Sequence, residues 1–161
     1  MARRSWVVNA SPLIFLDHIN ALFLLKELAD EVVVPFSVHK EVLAGASKGP
    51  GSIPLKLPDW LSLQEDLPLL PEIAGWDLGA GESQVLAHAV LSRREAVMDD
   101  LQGRRCARAL GVPTTGTLGV ILRAKRAGLI RAARPPVEEL LNKGLYLSRD
   151  LVEQALAEIG E

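Results

Sequence analysis

The sequence predicts a three-layer α/β/α sandwich built around a central, mostly parallel β-sheet. Short β-branched runs alternate with helical patterns along the chain, which is typical of a parallel sheet covered by helices on both faces. The 161 residues are 48% hydrophobic and 24% charged, the balance of a globular protein with one sizeable core. No internal repeat or low-complexity tract is present, so we expect a single domain over residues 1–161.

Periodicity and residue type predict the strands. Four of the five runs are short and rich in Val or other strand-favouring residues. The remaining run lies in a proline-rich connection, residues 48–71, and is expected at the edge of the sheet. The predicted strands are, in order, residues 6–8, 32–34, 60–64, 96–98 and 112–114.

Helical periodicity and end signals predict the helices between the strands. Ser11 is expected to cap the first helix, with Pro12 in its first turn, and Ser37 and Thr117 are expected to cap later ones. Gly128 marks the end of the helix that Thr117 begins. After the helix that begins at Ser11, the predicted helices are residues 22–28, 38–44, 82–93, 102–110, 117–127, 137–143 and 148–159.

The composition excludes several classes of protein. Lys and Arg number 18 against 20 Asp and Glu, which excludes a uniformly basic nucleic-acid coat but not a local basic patch. The single cysteine, Cys106, cannot form an internal disulfide, which favours a reducing, cytoplasmic setting. No apolar stretch is long enough to span a bilayer, so no membrane partner is expected.

Acidic and amide side chains cluster at the ends of the predicted strands. Asn9 follows the first strand, Glu41 lies in the helix after the second, and Glu82 opens the helix that leads to the next core strand. Asp99 and Asp100 follow that strand. In a parallel sheet these oxygens converge at one end, where ligands bind. Such hard donors suit Mg²⁺ or Mn²⁺, and a pair of these ions about 3.5–4 Å apart runs in-line phosphodiester hydrolysis.

Each of these residues also has a local explanation. Asp100 fits a helix cap, and Glu82 fits an acid favoured by the helix dipole in a first turn. Glu41 fits an exposed helix charge, while Asn9 and Asp99 fit turn positions. Only their joint placement at strand ends, which depends on the predicted topology, favours a metal site.

A basic segment lies beside this acidic group in the sequence. Residues 101–137 contain no Asp or Glu but eight cations, a segregation that fits contacts to a polyanion. A solvated face, with cations at the carboxyl end of a helix, explains the same pattern. The candidate nucleic-acid-binding residues are Arg104, Arg105, Arg108, Arg123, Lys125 and Arg126. Aromatic residues are only 4%, which argues against a base-stacking platform.

A glycine-rich turn imitates a dinucleotide-binding motif without matching it. Gly79 and Gly81 have the right spacing, but Gln84 stands where the third glycine is required. Glu82 would also repel a pyrophosphate. The chain therefore gives no support to nucleotide cofactor binding at this turn.

The order and spacing of these motifs resemble those of the PIN-domain family from about residue 7 to residue 150. The match includes a prokaryotic branch of predicted nucleic-acid-binding proteins. The family's opening motif ends its first strand with an acid, usually Asp, where this chain has Asn9. The similar segments are residues 9–14, 33–45 with Glu41, 81–83 with Glu82, 99–104 with Asp99 and Asp100, and 111–130 with Thr117.

The resemblance implies a Rossmann-like sandwich and Mg²⁺- or Mn²⁺-dependent ribonuclease chemistry. Many relatives are VapC-type toxins, usually homodimeric and held by a cognate antitoxin. The metal would be held by Glu41, Glu82 and Asp99, with Asp100 an alternative or additional fourth acid and Asn9 offering its carbonyl oxygen. Within the site, Ser11 and Thr117 are expected to form hydrogen bonds.

Asn9 leaves two functions open. The site loses one negative charge relative to the family pattern, although an amide oxygen still ligates a hard cation. The first hypothesis is a metal-dependent ribonuclease of the toxin type. The rival is a PIN-like module that binds RNA or a protein without cleaving it. The apolar face of residues 137–159 either closes the core or forms a contact with a second copy or an antitoxin, and closing the core is favoured.

Overall fold

The strands form where short apolar runs can be buried on both faces of a sheet. The computed structural model describes residues 3–46 and 55–161 of the chain. Its strands are β1 (Ser5–Val8), β2 (Glu31–Pro35), β3 (Ser62–Gln64), β4 (Glu95–Val97) and β5 (Thr114–Thr115). They form one sheet in the order β3-β2-β1-β4-β5, and every pair is parallel. The predicted parallel sheet is confirmed, as is the edge position of β3.

Helices flank this sheet and give the predicted α/β/α fold. In the described part of the chain they are α1 (Ala10–His18), α2 (Phe23–Leu28), α3 (Phe36–Ala46), α4 (Pro71–Ala74), α5 (Ala80–Ser92), α6 (Leu101–Ala109), α7 (Thr117–Arg126), α8 (Arg134–Asn142) and α9 (Arg149–Glu158). Helix α3 packs against α5, and both α1 and α2 contact α7. Helix α5 also contacts the central strands β1, β2 and β4.

The core lies between the central strands and these helices. Trp6 and Val7 of β1 are fully buried, as are Leu13 of α1, Leu86 of α5 and Ile121 of α7. Strands buried on both faces are typically continuous apolar runs, which is why β1 and β2 were recognisable from sequence. The same burial holds the two strand ends that carry Asn9 and Asp99 in fixed positions.

Element boundaries differ from the predicted ones by small amounts. Strand β4 begins one residue earlier than predicted, and β5 covers Thr114–Thr115 instead of residues 112–114. The short helix α4, at the end of the proline-rich connection, was not predicted. The beginning of that connection, residues 48–54, lies outside the described residues.

The three predicted hydroxyl caps are wrong. Helix α1 begins at Ala10 with Asn9 in the cap position, so Ser11 lies inside its first turn. Helix α3 already begins at Phe36, and Ser37 instead directs its backbone N–H and its hydroxyl to the Asp66 carboxylate. Helix α7 is preceded by Gly116 as its cap residue, which places Thr117 at the first helical position. In all three helices the hydroxyl lies beyond the cap residue.

The carboxyl-terminal helices close the core, as favoured from sequence. Val137 and Leu140 of α8 are fully buried, as are Val152 and Leu156 of α9. The last residue of the chain also joins the end of α9 to the start of α8, because the Glu161 carboxylate accepts hydrogen bonds from the Ala133 and Arg134 backbone N–H groups. Among the described helices, none combines the length and the apolar character needed to cross a membrane.

Candidate functional site

Asn9 occupies the point where the two central strands end. Its backbone N–H donates to the Val97 carbonyl oxygen at 2.9 Å, which ties the end of β1 to β4. Its side-chain amide Nδ2 donates to Glu82 Oε1 at 3.3 Å. The residue is 2% exposed, and its Oδ1 oxygen is buried without a hydrogen-bond partner. A buried oxygen of this kind is costly unless a ligand, water or cation satisfies it.

Asp99 is held by two helices. Ser11 Oγ in α1 donates to Asp99 Oδ2 at 2.8 Å, and Thr117 Oγ1 in α7 donates to the same oxygen at 2.7 Å. The Thr117 backbone N–H donates to Asp99 Oδ1 at 2.8 Å. These donors fix the carboxylate at the start of α7, where the helix dipole favours a negative charge.

Glu41 reaches the same region from α3. Its Oε1 accepts a hydrogen bond from the Gly81 backbone N–H at 3.0 Å, in the first turn of α5. Burial raises the pKa of the Glu41 carboxyl, and the charge of nearby Glu82 raises that pKa further, while the Gly81 hydrogen bond opposes the change. Glu82 therefore lies close enough to disfavour the charge of Glu41.

Asp100 has a different role from Asp99. It is the cap residue of α6, and its Oδ2 accepts from the Gly103 backbone N–H at 2.7 Å. The structure thus brings Asn9, Glu41, Glu82 and Asp99 towards one another and directs Asp100 to the helix. Of the two acids that follow β4, Asp99 is the one joined to Ser11 and Thr117.

Three glycines make room for these side chains, and sequence reasoning gave none of them that role. A Cβ at residue 81 would lie 2.6 Å from Glu41 Oε2, and one at residue 79 would lie 2.6 Å from Glu82 Oε2. A Cβ at residue 116 would lie 3.1 Å from Asp99 Oδ1 and 2.9 Å from Arg104 Nη1. The available signal was the turn of Gly79 and Gly81 set aside as a failed dinucleotide motif.

The candidate basic residues divide between two surfaces. A groove of about 1010 Å³ contains Asp99 together with Arg104, Arg105 and Arg108 of α6. Because Arg104 and Arg108 are four residues apart, they share one face of that helix. We call this surface the α6 groove.

The other three cations do not belong to the α6 groove. Arg123 forms a two-bond ion pair with Glu95, with both N–O distances 3.0 Å. Lys125 donates to the Arg131 carbonyl oxygen at 2.6 Å. Arg123 and Arg126 line a separate cleft that also contains Ser5, the first residue of β1. The single basic patch expected from sequence is therefore two patches.

The side-chain oxygens of this cluster are of the type that a hard divalent cation binds, but their arrangement fits such an ion only partly. Asn9, Glu41, Glu82 and Asp99 supply oxygen ligands of the kind that Mg²⁺ and Mn²⁺ prefer. The unpartnered Asn9 Oδ1 and the repulsion between Glu41 and Glu82 are both features that a cation relieves. Within residues 3–46 and 55–161, however, no three Asp, Glu, His or Cys side chains are arranged to hold one ion.

Comparisons with known proteins give one family model and a solved structure that resemble this chain. A solved structure from Rickettsia felis, of VapBC2 bound to a DNA fragment from their promoter, matches with 12% identity and a TM-score of 0.49. The match covers 70% of this chain and 98% of that one. No curated protein matches the sequence. A family model described as "DUF3368: PIN domain" matches residues 5–161. Because that match covers nearly the whole chain, the protein belongs to this PIN-domain family.

Proposed function

We propose that this protein is a divalent-metal-dependent ribonuclease that hydrolyses RNA phosphodiester bonds. The observation that carries the proposal is that Asn9 bonds to Glu82 and that Glu41 bonds to the first turn of the same helix. Asp99 follows the neighbouring strand β4 at the same end of the sheet and is bonded to Ser11, two residues after Asn9. Bound Mg²⁺ or Mn²⁺ would supply Lewis acidity and an activated water at this position. Membership of a PIN-domain family supports the same chemistry.

The residues have distinct tasks in this proposal. Asn9, Glu41, Glu82 and Asp99 would hold the metal. Asp99 keeps a fixed orientation because Ser11 and Thr117 both donate to it, so its free lone pairs point in one direction. Asn9 donates to Glu82 through Nδ2 and keeps Oδ1 available for a cation. Asp100 acts indirectly, because it stabilises the helix that follows Asp99.

The α6 groove would bind the RNA backbone. It joins Asp99 to three arginines, which suit phosphate oxygens through paired N–H donors. Contacts of this kind fix a strand without reading its bases. We therefore expect weak sequence dependence from this surface and an affinity that falls as salt concentration rises.

The test is cleavage of labelled single-stranded RNA in Mn²⁺, in Mg²⁺ and in EDTA. The variants Glu82→Gln and Asp99→Asn should reduce cleavage to the level seen in EDTA. The matched control is Asp150→Asn, which removes the same charge from an exposed residue of α9 and should leave cleavage unchanged. Cleavage that persists in EDTA, or in the Asp99→Asn variant, would contradict the proposal.

We also propose that the chain is the toxin of a type II toxin–antitoxin pair and forms a homodimer. The support is the resemblance of its motifs to VapC-type toxins. Expression in a bacterial host should arrest growth, and Asp99→Asn should relieve the arrest. Light scattering after size exclusion should give twice the monomer mass. Normal growth on expression of an active nuclease would contradict the toxin proposal. A monomer mass would contradict the homodimer proposal.

One observation favours a second candidate, a PIN-like module that binds RNA or protein without cleaving it. Asn9 stands where the family usually has an acid, so the cluster has less negative charge to attract a cation. Calorimetric titration with Mn²⁺ separates the two candidates. Binding that is lost in Glu82→Gln supports the nuclease, whereas no Mn²⁺ binding together with retained RNA binding supports the module.

A further inference from the structure

Five arginines line a cleft at the amino end of the central strands. The cleft has a volume of about 610 Å³, within the usual range of small-ligand sites. Ser5 and Glu95, which begin β1 and β4, lie in its wall. Its charged residues are Arg3, Arg4, Arg93, Arg123, Arg126 and Glu95, and we call it the arginine cleft.

The sheet separates the arginine cleft from the acidic cluster. Ser5 lies at the start of β1, and Asn9 follows its end. A strand of this length spans roughly 13 Å, at about 3.3 Å per residue. A ligand in the arginine cleft therefore does not share the oxygen donors proposed to hold a metal.

Arginines outnumber the carboxylates around the arginine cleft. Glu95 is paired through two bonds with Arg123, whose guanidinium also lies 5.6 Å from the centre of the Trp6 ring. Nearby Glu31 is paired with Arg94 at 2.9 Å and lies 4.0 Å from Arg3, whereas Asp30 keeps its charge and accepts from the Arg4 backbone N–H at 2.7 Å. These carboxylates number fewer than the arginines around them, which leaves an excess of positive charge in the cleft.

Two of the arginines have free guanidinium groups. Arg93 and Arg126 are exposed, and neither forms an ion pair or a hydrogen bond through its side chain within the described residues. Arg4 makes one long bond of 3.3 Å to the Leu28 carbonyl oxygen, which leaves most of its donors free. Guanidinium groups with unused donors suit a phosphate, because its several oxygens and its charge can engage more than one arginine at once.

The backbone at Arg93 places its side chain in the arginine cleft. Arg93 is the residue at the carboxyl end of α5 and has a φ of 53°, in the left-handed region. Helices commonly end on such a residue, most often a glycine. Strand β4 begins two residues later at Glu95, so Arg93 lies at the same end of the sheet as Ser5 and Glu95.

We propose that the arginine cleft binds a phosphate group, chiefly through Arg4, Arg93 and Arg126. This inference goes beyond the proposed ribonuclease and does not rest on it. The phosphate belongs either to a distant part of an RNA strand or to a small phosphorylated molecule. Arg123 and Glu95 form the paired floor of the cleft.

In the first arm of the test, inorganic phosphate is titrated into the ¹⁵N-labelled protein in EDTA, and binding is monitored through the backbone amide NMR signals. Signals of Ser5, Glu95 and Ala127 should shift in a saturable way. The double variant Arg93→Gly, Arg126→Gln should weaken binding by about tenfold or more, the usual effect of losing bonds from a charged donor. Glycine adopts the backbone of residue 93 without strain, so this variant is expected to fold. The control Lys143→Gln removes an exposed charge outside the cleft.

The second arm measures the affinity for a 20-nucleotide single-stranded RNA in EDTA. If the double variant binds both RNA and phosphate more weakly, or binds RNA alone more weakly, an RNA strand reaches the cleft. If only its affinity for phosphate falls, the ligand is a small phosphorylated molecule. Arg105→Gln, in the α6 groove, should weaken only RNA. The proposal is overturned if the double variant matches the parent protein in both arms, whether or not the RNA is cleaved when metal is supplied.

Discussion

At the scale of single residues, Asn9 lowers the charge repulsion within the acidic cluster when no metal is bound. Its amide donates to Glu82, whereas an aspartate at this position would place a second buried negative charge beside that carboxylate. The amide therefore relieves repulsion in the free protein at the expense of cation affinity. Its unpartnered Oδ1 marks the direction from which a cation would be bound.

Exchanging this amide for a carboxylate should make the protein depend on metal for stability. In EDTA at pH 7, Asn9→Asp should lower the free energy of unfolding by about 1–3 kcal/mol, because a hydrogen bond is lost and like charges approach. Saturating Mn²⁺ should remove this deficit. Urea unfolding measures the free energy of unfolding in EDTA and in Mn²⁺. The control is Asn20→Asp, at an exposed residue. An equal response of Asn9→Asp and the parent protein to Mn²⁺ would contradict the expectation.

The raised pKa of Glu41 predicts that the stability of the protein depends on pH. Because burial and Glu82 raise the pKa of Glu41 above its ordinary value of 4.5, the folded state holds its proton more strongly than the unfolded chain. The stability from this group is fully present below pH 4.5 and is lost as pH rises through the folded-state pKa.

Glu41→Gln should therefore be at least as stable as the parent protein in EDTA at pH 7, and the difference should vanish below pH 4.5. The glutamine still accepts the Gly81 hydrogen bond. Thermal unfolding between pH 4 and pH 8 measures the difference, with Glu27→Gln, on the exposed side of α2, as the control. A variant that is less stable only at neutral pH would show that the charge of Glu41 stabilises the fold.

At the scale of elements, the start of α5 forms part of the cluster. Gly81 gives its N–H to Glu41 and has no side chain where the Glu41 carboxylate lies. The Glu41 carboxylate of α3 thus fits against α5 because residue 81, in the first turn of that helix, is a glycine.

Gly81→Ala tests this contact. The new Cβ would lie within 2.6–2.8 Å of three Glu41 carboxylate atoms, so that side chain must move. We expect Mn²⁺ binding and cleavage to fall as in Glu41→Gln, although alanine favours a helix by roughly 0.5–1 kcal/mol. The matched control is Gly45→Ala in α3, whose Cβ would lie 3.8 Å from Ile14 Cδ1, an ordinary contact. Full activity in Gly81→Ala would show that Glu41 is dispensable.

The strands were predictable from residue type, whereas the hydrogen bonds of Ser11 and Thr117 within the site were expected only from the family resemblance. Runs such as the one around Val33 are recognisable because burial on both faces demands apolar residues throughout. Ser11 and Thr117 had been assigned to helix caps, because a hydroxyl near a helix start usually bonds its own helix. Both donate instead to Asp99, which is 88 and 18 residues away along the chain. Local sequence does not distinguish a cap from such a partner.

Position along the sheet was also hidden from sequence. Arg104 and Arg126 looked like members of one basic segment, since no carboxylate separates them. The chain crosses from one end of the sheet to the other between α6 and the end of α7. Arg104 therefore lies with Asp99, whereas Arg126 lies with Ser5.

At the scale of the whole molecule, a metal bound by the cluster would stabilise the entire fold. Its proposed ligands come from the ends of β1 and β4 and from α3 and α5, so an unfolded chain cannot assemble them. An ion that binds only the folded state adds about 2.7 kcal/mol at a concentration one hundred times its dissociation constant.

We therefore expect the unfolding temperature to rise with Mn²⁺ concentration in the parent protein and to stay constant in the double variant Glu82→Gln, Asp99→Asn. Differential scanning calorimetry measures the rise, and KCl at matched ionic strength controls for screening. A rise of the same size in the double variant would place the ion elsewhere on the protein.

The position of β1 between β2 and β4 also determines the order in which the strand pairings form during folding. Trp6 pairs with Val32 on one side and with Glu95 on the other. The first pairing closes a short loop, whereas the second must wait until most of the chain has been synthesised, and contacts so distant in sequence form slowly. Asn9 and Asp99 meet only when that long loop closes. A nascent or partly refolded chain therefore has β1, β2 and the helices between them before it has the acidic cluster, and cleavage activity must wait until the segment that contains Asp99 has joined the sheet.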